Sequence, residues 1–232
     1  MNAVTSSTSA AANASLHTGS NINSNASLDA GLEQLGLALP CEARDKLNAY
    51  IALLAKWNGT YNLTAIRDPE AMVAAHLLDS LALVRYLKPG NLLDVGAGGG
   101  LPSIPVAIWA AAALPDLKVT ALDSNHKKAA FLRQAKAELN LANLEVCGER
   151  VEAWEPPVKF GQIVSRAFSD LYEFFHLTAP VAAPGAVWLA MKGVHPHEEI
   201  AQLPPECKLD RVIPLKVPGL DAERHLVLLT RP

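Results

Sequence analysis

The chain has 232 residues, half of them apolar and 19% charged, with a formal net charge of −3 at pH 7. It reads as a soluble globular chain with one sizeable core, a length that suits one α/β domain with an appendage better than two full domains. The slightly acidic total gives no global field for nucleic acid, so RNA binding must rest on a local basic face. Three scattered cysteines (Cys41, Cys147, Cys207) without a CxxC pair disfavour a zinc site and a disulfide framework and point to the reducing cytoplasm.

Residues 1–27 are rich in Ser, Ala, Asn and Thr. They lack the basic and continuous apolar regions of a signal peptide and read as a disordered tail. Apolar residues at helical spacing follow over 28–39 and 41–58, the second with Leu47, Ile51, Leu54 and Trp57, and Pro40 breaks the two apart. Asp68 can cap a third helix with Pro69 in its first turn, predicted to run to residue 87. These three helices make a helical appendage over 28–90, ahead of a domain spanning 91–232.

From residue 91 strands and helices alternate: strand "NLLDV", a helix over about 101–113, strand "KVTALD", helix "NHKKAAFLRQAKAELN" and strand "LEVCG". Strand "QIVSRA", a helix over about 170–182 and strand "AVWLAMKG" come next, and "DRVIPLKV" and "RHLVLLTR" are joined by "PGLDAE" with no helix between. This predicts five parallel strands, covered on both faces and closed by an antiparallel hairpin. The apolar stretch 104–114 is too short for a membrane span, and no internal repeat is visible.

The stretch "LLDVGAGGGLP" (92–102) places four glycines within five residues at the end of the first strand, one residue past an acid. Glycines there supply positive φ and let a ligand approach bare main chain. A dinucleotide site wants GxGxxG, but Leu101 stands where the third glycine belongs; the spacing present is DxGxGxG, from Asp94 through Gly96, Gly98 and Gly100. An acid ahead of the turn suits an ammonium-bearing ligand better than a polyphosphate. The glycines alone read equally well as a tight structural turn. Asp123 ends the next strand, where an acid can accept both ribose hydroxyls of a nucleoside. Its plainer role is to cap the following helix, a task Ser124 could fill instead.

The DxGxGxG turn resembles motif I of the Rossmann-like class I S-adenosylmethionine-dependent methyltransferases. Taken in order, "KWNGTYNLTAIRDPEAMVAAHLLDSLAL", "LLDVGAGGGLPSIPVAI", "LDSNHKKAAFLRQAKAELNL", "GERVEAW", "VSRAF" and "MKG" resemble the bacterial 16S ribosomal RNA guanine-N7 methyltransferase family, also called glucose-inhibited division protein B, from about residue 28 to the end. The resemblance implies an α/β fold with a mostly parallel seven-stranded sheet, S-adenosyl-L-methionine as cofactor, and methyl transfer to N7 of guanine 527 in the 530 loop of 16S ribosomal RNA. The partner it implies is that RNA, in the small subunit or an assembly intermediate, with a cytoplasmic monomer as the default. Carried over by position, Gly96 and Leu101 match cofactor contacts at the first turn, Val151 and Glu152 the pair lining the adenine, and Arg166 an arginine beside the cofactor. The family often ends this turn in Phe-Pro; Leu101-Pro102 keeps the apolar contact without a ring.

Read without the family, Glu152 is either a ligand-site acid at the sheet's carboxyl edge or a solvated helix-capping acid. Arg166 can bind a phosphate, stack on a base, or pair with Asp94 or Glu152. Guanine N7 carries a free lone pair, so a catalytic base is dispensable and alignment becomes the main source of rate. Arg166 is therefore expected to fix the base or phosphate rather than remove a proton. Two absences agree: "SRAF" stands where amine methylation would want [DNS]PP[YFW], and no Pro-Cys motif offers a covalent nucleophile.

Candidate phosphate contacts are Lys56, Arg67, Arg85, Lys127, Lys128, Arg133 and Lys136, each with a solvated-surface alternative, and Trp57 and Tyr61 could stack a base, with Trp57 better placed as core. His76 and Asp79 share a helix face and read as residues with a hydrogen-bonded structural role facing the cofactor cleft, with no metal site expected. His195 and His197 mark a loop after the fifth strand, and Lys192 reaches substrate phosphate or is exposed. Two rivals use the same sheet: a nicotinamide-dependent oxidoreductase, and a ribosome-assembly RNA-binding factor without turnover.

Overall fold

Continuous apolar runs form strands buried on both faces, and the strands alternate their side chains between two cores. The computed structural model describes residues 25–231 except 167 and 169. Seven strands, β1 (Gly90–Val95), β2 (Leu117–Leu122), β3 (Leu144–Cys147), β4 (Phe160–Ser165), β5 (Ala182–Lys192), β6 (Lys208–Pro214) and β7 (His225–Thr230), lie in the order β3-β2-β1-β4-β5-β7-β6. The first five are parallel, and β7 runs antiparallel between β5 and β6. The chain winds outward from β1 to β3 and returns to start β4 on the other side of β1. That reversal opens a crevice at the carboxyl ends of β1 and β4, where open α/β sheets bind ligands.

Leu92, Val119, Leu189, Met191, Leu226 and Leu228 face one core, while Leu93, Leu122, Trp188, Ala190, Val227 and Leu229 face the other. Helix α7 (Leu171–Thr178) covers the second face with Leu171, Phe174 and Phe175. The first face is covered by α5 (Ser103–Ala113) and α6 (His126–Glu138) and by the N-terminal helices: α1 (25–35), α2 (Cys41–Tyr61), α3 (Pro69–Met72) and α4 (Asp79–Leu81). Leu47 and Leu54 of α2 and Leu81 of α4 share one core with Leu92, Ile104 and Phe131. The appendage is thus continuous with the sheet's own core.

Tyr50, fully buried in α2, donates a 2.6 Å hydrogen bond to the carbonyl of Gly99 inside the glycine turn. A Cβ on Gly99 would come within 3.1 Å of Leu54 Cδ1, so α2 lies directly on that turn.

Boundaries differ from expectation in places. The first helix is already present at residue 25, and the rest of the expected tail, 1–24, lies outside the described residues. Helix α2 continues past Gly59 to Tyr61, where Asn62 takes a left-handed cap at φ 50°. The third helix is not unbroken to residue 87. Asp68 caps it through the amides of Glu70 and Ala71, but Val73–Leu78 winds as a π-helix before α4, and a 3-10 turn, Val84–Tyr86, finishes the run. Neither Gly nor Pro marks that π turn. Asn125, not Ser124, caps α6, and the stretch after β5 contains a short helix, α8 (His197–Ala201).

Replacing Tyr50 with Phe leaves the Gly99 carbonyl buried without its donor, which costs about 1–3 kcal/mol. Urea unfolding of Tyr50→Phe should show a lower midpoint with an unchanged slope. An unchanged midpoint contradicts this role.

Candidate active site

One carboxylate, Asp123, holds the glycine turn, and a second, Asp94, holds the start of the helix that follows it. Gly96, Gly98 and Gly100 have φ of 74°, 58° and 87°, and a Cβ on Gly100 would lie 2.3 Å from Ile104 Cδ1, so both conformation and packing require glycine there. Asp123 accepts from Gly98 N through Oδ2 (2.8 Å) and from Asn125 N through Oδ1 (2.9 Å). Each oxygen keeps a lone pair for a further donor. Asp94 lies fully buried and accepts from Ser103 N through Oδ2 (3.0 Å), while its Oδ1 and the Ser103 hydroxyl both lack a well-formed hydrogen bond. Burial pushes the Asp94 carboxyl up to about 6, against the pull of Ser103 and of the positive Arg166, and with a small push from Asp123.

Beside the turn, a cleft of about 250 Å³ is lined by Gly96, Asp123, Val151 and Glu152 together with Glu149 and Phe168. Four of the predicted positions are thereby brought to one opening. Gly98 is half-buried and holds Asp123, whereas Asp94, Gly100 and Leu101 lie behind the turn, Leu101 packed into the core. The cleft has bare main chain, ribose-type acceptors at Asp123 and an apolar wall at Val151; below the turn is an incompletely satisfied carboxylate. This set fits a nucleoside carrying an ammonium group.

Arg166 belongs to a second opening of about 430 Å³, lined by Thr64, Ile66, His76, Asp79, Lys192 and Arg224 among others. The 2.7 Å hydrogen bond from Ser165 Oγ to Val95 O joins the strand tips beside Arg166 and Gly96, between the two openings. Arg166 pairs with neither Asp94 nor Glu152. Its Nη1 donates to Asp79 Oδ2 (3.2 Å) and to Ala75 O (3.2 Å), while Arg224 Nε donates to Asp79 Oδ1 (3.0 Å). Asp79 is a buried carboxylate, its side chain 2% exposed, shared by two guanidinium groups.

His76 does not bond Asp79. Its Nδ1 faces Ala75 O (2.9 Å) and carries the proton, so Nε2 accepts from the Thr64 hydroxyl (2.8 Å), whose oxygen accepts from Ile66 N. Burial first, and then Arg166, hold the imidazole below its ordinary range. Asn58 fixes the same loop, accepting from Thr64 N and donating to Ile66 O.

Lys192 is neither exposed nor free: its side chain is 11% exposed and its ammonium donates to Glu199 (2.7 Å) and to Phe168 O. Among the basic candidates, Arg85 donates to Leu35 O, and Lys128 and Lys136 pair with Asp123 and Glu145. Lys56, Arg67, Lys127 and Arg133 are exposed. Trp57 packs edge-on to Phe131, and exposed Tyr61 carries Lys127 5.9 Å over its ring. Arg224 escaped the sequence reading, its one signal being a cation just before the last strand. Among the described residues no group of three or more His, Cys, Asp or Glu could hold a metal ion, and no helix is long and apolar enough to cross a membrane.

Residues 43–227 match the family model described as rRNA small subunit methyltransferase G. Over 203 residues the chain is 56% identical to the ribosomal RNA small subunit methyltransferase G of Chromobacterium violaceum, covering 87% of this chain and 95% of that one. Two solved structures share the fold at low identity. The glycopeptide N-methyltransferase MtfA matches with a TM-score of 0.57 at 16% identity, over 71% of this chain and all of its own. The Bacillus cereus O-methyltransferase solved with SAH matches with a TM-score of 0.52 at 17% identity, over 79% of this chain and 91% of its own.

The raised carboxyl of Asp94 makes a pH prediction for the ligand-free chain. Between pH 3.8 and about 6 the folded state binds the proton that the unfolded state releases, so the Asp94 contribution to stability falls as pH rises through that window and is fully lost above it. At about 1.4 kcal/mol per pH unit the loss is about 3 kcal/mol. The stability of Asp94→Asn relative to the unsubstituted chain, measured by urea unfolding, should rise from pH 4 to 6.5 and then level off; a flat difference contradicts it.

Proposed function

The chain belongs to the rRNA small subunit methyltransferase G family, and on that premise we propose that it transfers a methyl group from S-adenosylmethionine to N7 of guanine 527 in 16S ribosomal RNA. The observation that carries the reading is the pairing of two openings across the Val95–Ser165 contact: one suited to a nucleoside with an ammonium group, the other lined by cations. When bound, S-adenosylmethionine supplies an electrophilic methyl on a sulfonium centre. Asp123 receives the ribose hydroxyls on its remaining lone pairs, Asp94 offers its incompletely satisfied oxygen to the ammonium end, directly or through water, and Val151 and Glu152 line the adenine.

The base enters the second opening. Its N7 lone pair is the nucleophile and bears no proton, so no side chain there has to act as a base. His76 fits that requirement, since its ring is kept neutral and both nitrogens are already engaged. Arg166, anchored by Asp79 and Ala75 O, holds the base or its phosphate in line with the methyl, and the rate comes from that alignment. The substrate is small-subunit RNA, in the subunit or an assembly intermediate, reached in solution by a monomer.

Incubation with tritiated S-adenosylmethionine and small subunits, followed by mapping of the labelled nucleotide, should place label on N7 of guanine 527. Label elsewhere contradicts the site, and RNA binding without label supports an assembly factor lacking turnover. Arg166→Ala should lower kcat about 100-fold with the fold retained by circular dichroism. Unchanged turnover at saturating RNA removes Arg166 from the mechanism.

A further inference from the structure

Two guanidinium groups meet at one buried carboxylate beside an open cavity. Asp79 is supplied by α4 at the end of the π turn, Arg166 from the tip of β4, and Arg224 from just before β7. The pair carries two positive charges against one negative, and Lys192, also lining the cavity, is already matched by Glu199. One positive charge is therefore left over at the opening.

The geometry of the anchors decides what that charge can do. Arg224 uses Nε on Asp79 and Nη1 on Glu223 O, and Arg166 uses Nη1 on Asp79 and Ala75 O. Among the described residues Nη2 of neither arginine has a partner, and the two side chains are 26% and 27% exposed. A guanidinium fixed along one edge by a carboxylate presents its other N–H groups with little ordering cost, an arrangement that suits the planar fork recognition of a phosphate. The positions divide the labour. Arg166 stands next to the strand tip facing the glycine turn, whereas β7 is separated from β4 by β5, so the Arg224 backbone starts roughly 10 Å further out at about 4.8 Å per strand. A nucleotide whose base points to the turn, with its backbone running along that line, would bring a phosphate to Arg224.

We propose that Arg224, locked by Asp79, receives a backbone phosphate of the substrate RNA next to the target base; this rests on the reading of the chain as an rRNA methyltransferase. Arg224 is then an affinity residue and Asp79 a positioning residue that keeps both arginines extended toward the cavity.

The test uses the full chain in steady-state methyl transfer to small subunits at several salt concentrations. Arg224→Gln should raise KM for the subunit about tenfold, leave kcat within about twofold, and make the salt dependence of binding shallower by about one phosphate contact, while Arg224→Lys should keep the salt dependence. A loss in kcat alone, or unchanged KM and salt slope, overturns the assignment. If Arg224→Gln does not fold, calorimetry on the unsubstituted chain decides. Guanosine 5′-monophosphate should bind about tenfold tighter than guanosine, with inorganic phosphate alone binding weakly and competing; equal affinity for nucleoside and nucleotide overturns the proposal. Preference for the nucleotide without any methyl transfer would sink the functional reading and leave the phosphate subsite standing. Methyl transfer without that preference would do the reverse.

Discussion

The site depends on carboxylates that hold backbone where glycine leaves it unsupported. A turn at positive φ has no side chains to fix it, so its amides must be tied from outside. Asp123 does this through Gly98, and Asp94 ties the start of α5 through Ser103. The cost is electrostatic: Asp94 is enclosed with one oxygen poorly satisfied, and Asp123 adds a like charge. On the proposed reading a cationic ligand relieves that cost, so the feature that weakens the fold is the one that favours a sulfonium nucleoside with an ammonium group.

The N-terminal helices extend this logic to the second opening. Tyr50 bonds the turn from α2, and Asn58, Thr64 and His76 form a relay of hydrogen bonds that shapes one wall. The π turn brings Ala75 O and Asp79 to Arg166 at the same place, in keeping with the tendency of such turns to sit at functional sites. Arg166 is also felt at Asp94, where its positive charge lowers the carboxyl. The two openings are therefore coupled through charge as well as through the Val95–Ser165 contact.

Much of this was legible in sequence because its signals are local. DxGxGxG and the acid ending the next strand lie within one β–α–β unit, and the apolar runs set the strands, including the antiparallel closing pair. The Asp79 cluster was not legible. Asp79 is 87 residues from Arg166 and 145 from Arg224, and nothing in the local pattern of any of the three announces the others. The short spacing of His76 and Asp79 pointed to hydrogen-bonded structural roles on one helix face, but not to their separate partners across the π turn. Lys192 read as a phosphate contact or an exposed cation because Glu199, its partner, comes from a short helix that "HPH" did not predict.

The most direct test of the buried-carboxylate account compares two thioether nucleosides that differ only in the amino acid end. Calorimetry on the full chain should show S-adenosylhomocysteine binding at least about tenfold tighter than methylthioadenosine, with that gap closing in Asp94→Asn. Equal affinities for the two in the unsubstituted chain would contradict the claim that the acid under the turn waits for an ammonium group.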